Sequence, residues 1–456
     1  MPSRRIIDAD DVTALVDAST VAPVSTVIAG QRVDGHVRLD AIMQSQGSGG
    51  SSQGVNVTVP GDFPTLQAAV SALAAQRPRY AASSGNRLVI EIQSGFQPSS
   101  GIRVQEMDAS HIEIRSVDPV VTVASDFSGR LIDVGSYSRG PVLACVIDMA
   151  GRGEVGYWLN EQSFGHATID GGIINAGGTT IYLNRKSEMN IQGGQGPLKP
   201  WYGAGLDSVW LDHDCRLHAR YCDFSGPARH VINCQAMNQA DLEGCDMRNA
   251  GDVAVLAHYN STLHLRFIQG GGSGGAFVLS QGGARVTVFN SDLFGSADNM
   301  LEASTGFIHV ENVSIHRAGY LWTGSGTPDP DNASEWQLVA AGADGINLND
   351  CGSITGRAVT VSNSANRGLF LSRGCDLRLR NATTRNNGSE GLRASNGSRA
   401  VIQTLASGGN GGRDVRSLSG SDIRLWDVTR IGGGSMDYSP TPGAVGADGT
   451  AIWLQQ

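Results

Sequence analysis

The chain has 456 residues, among them 61 glycines, with 6% aromatic and 17% charged residues and a net charge of −9. This mixture suits many short strands joined by tight turns better than amphipathic helices, and it excludes a disordered profile. An acidic balance without any basic cluster argues against nucleic acid as a partner, and without a run of about 18 apolar residues no membrane insertion is expected. The N-terminus lacks the basic stretch and apolar core of a secretory signal, which points to release in the cytoplasm. The seven cysteines are sparse and odd in number, and are read as buried thiols rather than disulfides.

In chain order, residues 1–46 stand apart: Arg4 to Ile7, Val12 to Ala18 and Gly30 to Ile42 form short apolar patterns too small for a self-sufficient core. Residues 47–54 are rich in Gly and Ser and read as a flexible linker. Residues 55–80 begin with a strand over 55–59. Asp62 is then expected to cap a helix opened by Pro64. Leu66, Ala69, Val70 and Leu73 share one face of that helix, which suits a lid over the exposed end of a stacked sheet.

Residues 81–431 repeat. Val209, Ile232, Val255, Val278 and Leu301 recur at a constant step of 23, as do Ile346, Leu369, Leu392 and Val415. Two further ladders keep the same step: Ile354, Leu377, Ala400 and Ile423, and Cys222, Cys245, Ile268, Ser291 and Ser314. Three ladders at different phases imply coils that place equivalent residues directly above one another, about 4.8 Å apart, which is the geometry of a parallel β-helix. Gly, Asn, Asp and Ser clusters between the ladders serve as corners. Two segments, Gly196 to Gly203 and Gly324 to Ser334, carry surplus length and are expected to protrude. Residues 432–456 drop the repeat and read as a closing segment.

Strand alternation makes Val209 and Leu211 inward and Trp210 and Asp212 outward. One outward column then contains Trp158, Tyr182 and Trp210, and its neighbour contains Asp212 and His258. Rings flanked by amides and carboxylates suit a sugar chain. The same column also suits a trimer interface, since Leu256 and Leu279 continue it. A second outward column reads Asp223, Asp246, Gln269, Asp292. Asp223 with Asp246 is the candidate for glycosidase chemistry, set against the simpler reading of a repeated corner aspartate. Trp201 and Tyr202 occupy one surplus segment, and Tyr320, Trp322 and Trp336 bracket the other; such aromatics either bind ligand or pack down the root of the loop. Asp212 to Cys215 with His218 offers metal-ligand residue types, but neighbours on a strand point to opposite faces, so no metal is expected. The Gly-rich stretches at 270–275 and 408–412 read as turns, the first lacking the Lys-Ser/Thr of a phosphate loop; no cofactor motif stands out.

The segment holding Leu15-Val-Asp-Ala18, Gly30, Gly35 and Val37-Arg-Leu-Asp-Ala-Ile42 resembles the particle-attachment segments of phage tail fibres and tailspikes. Gly61-Asp-Phe-Pro-Thr-Leu-Gln-Ala-Ala69 is similar to the opening of pectate-lyase-like β-helices. The resemblance implies an all-β protein, a right-handed single-stranded parallel β-helix that forms a homotrimer on a virion or virion-like particle after synthesis in the bacterial cytoplasm. It further implies that residues 1–46 contact tail, baseplate or capsid proteins and that the β-helix recognises host surface polysaccharide. A polysaccharide depolymerase and a purely structural particle component are the alternatives. No catalytic motif of the family can be carried over onto particular residues here.

Overall fold

A computed structural model describes residues 21–28, 31–38, 56–75, 88–194, 196–323, 329, 331–445 and 448–455. Its main body is a right-handed parallel β-solenoid of about 15 turns with a coil spacing of about 23 residues. The linker 47–54 and most of the segment 1–46 lie outside the described residues. Within that segment Val21–Ile28 pairs antiparallel with Gln31–Arg38.

Each coil contributes strands to three faces. The first face is a continuous sheet of 14 strands from Ile102–Gln105 to Tyr438–Ser439. The second face runs from Asn56–Val59 through strands such as Arg216–Arg220 and Thr262–Arg266 to Ala451–Leu454. The third face includes Cys222–Asp223, Asp246–Arg248 and Gln269–Ser273. In the middle coils single long strands, Arg285–Ser296 and Phe307–Ala318, turn from the second face onto the third.

The sequence ladders are the core. Val209 pairs with Ile232, Ile232 with Val255, Val255 with Val278 and Val278 with Leu301, and all five side chains are inaccessible to solvent. The bends between faces depend on residues in the left-handed region, where most side chains are disfavoured and Asn, Asp and Gly are enriched. The first corner uses two, such as His213 and Asp214 (φ 60 and 59); the second uses one, as at Phe267 (φ 54) and Asn290 (φ 48). A backbone amide that turns out of the sheet must find another acceptor. At the first corner a side chain from the next coil supplies it: Asn238 Oδ1 accepts from the Cys215 amide at 2.8 Å, and Ser398 and Ser421 accept from the Cys375 and Ser398 amides at 3.2 Å.

Several expectations need correction. The helix Leu66–Ala74 buries the expected face, but Thr65 caps it, accepting from the Ala68 amide at 3.1 Å. Asp62 instead accepts from the Thr58 amide at 2.8 Å. Within residues 432–456, Tyr438–Ser439 and Ala451–Leu454 pair in parallel with the coil before them, on the first and second faces. Six cysteines are buried, and burial pushes the Cys145 and Cys215 thiols up to about 12 and about 11. Cys351, at a left-handed corner position, is exposed.

Candidate functional site

The aromatic column on the first face forms in register, with Trp158 beside Tyr182 and Tyr182 beside Trp210. The rings of Trp158 and Tyr182 stack at 4.3 Å and 5°, and Tyr182 and Trp210 lie 5.3 Å apart. Arg130 covers the outer side of this stack, 3.6 Å from the Trp158 ring, and Arg229 lies 5.1 Å from the Trp210 ring. The ring faces that a pyranose would need are therefore occupied by neighbouring coils, and ring edges are what remain. Asp212 pairs with His213 Nδ1 at 2.6 Å. Burial and the nearby His230 hold the His258 imidazole below its ordinary value. Trp210 Nε1 and the Oδ1 atoms of Asn160 and Asn184 are buried on this face without a hydrogen-bond partner among the described residues.

The carboxylate column on the third face also forms, Asp223 lying in register with Asp246. Asp246 is almost wholly buried, and Arg248 engages both of its oxygens, with Nε at 2.9 and 3.0 Å. Asp223 accepts from the Ser225 amide at 3.0 Å. Asp246 is thus held in a structural ion pair, with neither oxygen left to attack or protonate a sugar.

The surplus segments behave differently from each other. Trp201 does not protrude: it is a fully buried core residue. Lys199–Pro200 is a third-face strand paired with Cys222–Asp223, so the next residue points inward, as Phe224 does one coil later. Tyr202 reaches the surface, as do Gly196 and Pro197. The second segment does leave the stack. Leu301 pairs directly with Ile346, so the intervening coil is roughly twice the usual length. The surplus folds as an antiparallel hairpin of Tyr320–Trp322 and Trp336–Leu338, with Tyr320 also pairing antiparallel to Ser296; residues 324–328 and 330 lie outside the described residues. Trp336 is buried and donates from Nε1 to the Asp329 carbonyl at 2.8 Å, whereas Trp322, opposite it in the hairpin, is half-buried and donates to Glu335 at 3.3 Å.

The hairpin and the third face enclose a groove of about 570 Å3. Its floor is glycine: at Gly271 an added Cβ would lie 1.8 Å from the Phe294 carbonyl oxygen, so a flat backbone strip is obligatory there. Phe267, Phe294 and Trp322 provide aromatic surface, and Gln269, Asn290 and Asp292 provide polar groups. Phe267 is 54% exposed because its left-handed corner turns the ring outward. Phe294 is backed by the ring of His316 at 5.4 Å, and His316 Nδ1 lies 2.7 Å from Ser362 Oγ. Burial holds the His316 imidazole below its ordinary value against the opposing pull of Asp292, Asp331 also lying close enough to act on it. The ring is therefore a neutral backing plate near pH 7. Asp331, from the hairpin segment, accepts from Asn363 Nδ2 at 3.2 Å and lies 3.5 Å from Arg385.

Of the candidate aromatics singled out in the sequence, Trp322 reaches this groove, together with Asp292 and Gln269 from the carboxylate column and Gly270, Gly271 and Gly272 of the 270–275 stretch. Phe267, Phe294 and Asn290 were missed. The available signal was positional: they precede the long coil and share the third face with its point of departure.

No protein-family model matches the chain, and no curated protein matches it. Among solved structures, tailspike protein 3 of bacteriophage CBA120 aligns over 98% of this chain and 66% of its own, at 11% identity and a TM-score of 0.41. The chain thus spans just under two thirds of that tailspike. The catalytic unit of a thermostable GH87 α-1,3-glucanase from Streptomyces thermodiastaticus strain HF3-3 aligns over 90% and 70% of the two chains, at 13% identity and a TM-score of 0.38.

Proposed function

We propose that this chain is a receptor-binding spike or fibre of a phage or phage-like particle, reading cell-surface polysaccharide in the groove between its third face and the hairpin. The observation that carries the reading is the pairing of accessible ring surface at Phe267 and Trp322 with the exposed Gln269, Asn290 and Asp292 over a glycine floor. Sugar rings present C–H faces to aromatics and hydroxyls to amides and carboxylates, and rigid sheet holds both sets in place. The first face, where the partly exposed Leu256 and Leu279 continue the aromatic column, fits the contact between subunits of a homotrimer. Three copies would then multiply a modest single-site affinity.

A second reading, depolymerase activity, is favoured by the exposed Asp292 together with Asp331 near the same histidine, since hydrolysis takes two carboxylates flanking one bond. The test is binding to a host-polysaccharide array, followed by an assay for new reducing ends. In Trp322→Ala, affinity for the bound glycan falls about tenfold, roughly 1.4 kcal/mol. Unchanged affinity removes the groove as the reader. Reducing ends that vanish in Asp292→Asn move the chain to the enzymatic reading.

A further inference from the structure

The second face carries another groove, of about 630 Å3, lined among others by His309, Glu311, Arg357, Arg378, Arg380 and Trp426. Register explains how it is built. Glu311, Arg357 and Arg380 form one outward column, and His309, Thr355, Arg378 and Val401 form the next. Around it Arg357, Arg378 and Arg424 have partners, in Glu311, Asp376 and Asp422. Arg380 and Arg399 are exposed, and among the described residues they form no ion pair. A chain of net charge −9 thus gathers surplus positive charge at one groove. The Arg357 and Arg378 side chains are 61% and 60% exposed, so their pairs contribute little and can reopen at small cost.

We propose that this groove is a second ligand site, for a carboxylate-bearing saccharide. A guanidinium fork matches a sugar carboxylate in plane and bidentately, and Arg380 is the one groove arginine with its fork uncommitted. Trp426, half-buried in the same groove, supplies the ring against which the C–H face of that sugar packs. A neutral sugar would satisfy the indole and leave the arginine without a counter-charge, so the pair selects for acidic units. The inference stands whether or not the third-face groove binds glycan.

The full chain is titrated calorimetrically with oligogalacturonate and glucuronate, and with maltohexaose as the neutral control, at low and high salt. The acidic probes bind, the neutral one does not, and added salt weakens the binding. Arg380→Ala and Trp426→Ala each lower oligogalacturonate affinity about tenfold. Arg380 is exposed and Trp426 half-buried, and unchanged circular dichroism verifies the fold of both variants. Equal binding of neutral and acidic probes, no binding of either acidic probe, or wild-type affinity in Arg380→Ala overturns the proposal. A changed oligomeric state in Arg380→Ala also overturns it, making the groove a contact between copies of the chain.

Discussion

The first face and the third face both present aromatic side chains, and the two sets have opposite fates. On the first face Trp158, Tyr182 and Trp210 occupy successive coils at one register position, so repetition spends their ring faces on one another. On the third face Phe267, Phe294 and Trp322 come from a corner, a strand and an inserted hairpin. No coil repeats them, and ring surface stays open above the glycine strip. Repetition therefore spends the first-face rings on stability, and the break in the repeat leaves Phe267 and Trp322 available for recognition.

The strongest way to break this contrast is to excise residues 320–338. Glycan affinity should fall at least a hundredfold, about 2.7 kcal/mol, while the thermal transition of the solenoid stays within a few degrees of the parent. A solenoid that unfolds instead would show the hairpin to be structural. Tyr182→Ala is the converse experiment, since it removes the ring sandwiched from both sides. Denaturant titration should show a loss of about 2–3 kcal/mol, with binding at the groove unaltered; a binding defect would reverse the roles assigned to the two faces.

A smaller effect reports on the place where the long coil rejoins the stack. Asp344 there is buried beside Arg367 and its amide donates to Asn299 at 2.8 Å. Burial pushes its carboxyl up to about 6 despite Arg367. Between about pH 4 and pH 6 the unfolded chain has released a proton that the native chain keeps, so the unfolding free energy falls as pH rises through that window. Asp344→Asn should flatten this slope, and a slope that persists would assign it to other groups.

The ladders were legible because a constant step of 23 residues is written directly into Val209 through Leu301, and the inward and outward assignment of Trp210 followed from alternation alone. The two readings of Trp201 stayed open because the irregular coil before it hides the step. Counting backward from Met247 and Phe224 lands on Trp201 and would have placed it inside. The helix cap moved from Asp62 to Thr65 because Thr58 competes for the aspartate, a contact invisible in linear order. The groove was hidden for a different reason: where a hairpin folds back depends on its own antiparallel pairing with Ser296, and no periodicity records that.

The hairpin hangs from a narrow neck, in which the Gly319 carbonyl accepts from the amides of Val339 and Ala340 at 2.8 and 3.0 Å. The two ends of the excursion are thus already clipped together before the excursion begins. A gene encoding this chain could exchange that cassette for another, of different length and sequence, without rewriting a single rung on either side. What the groove holds would then change with a module that is swapped whole, while the rungs on either side keep their packing.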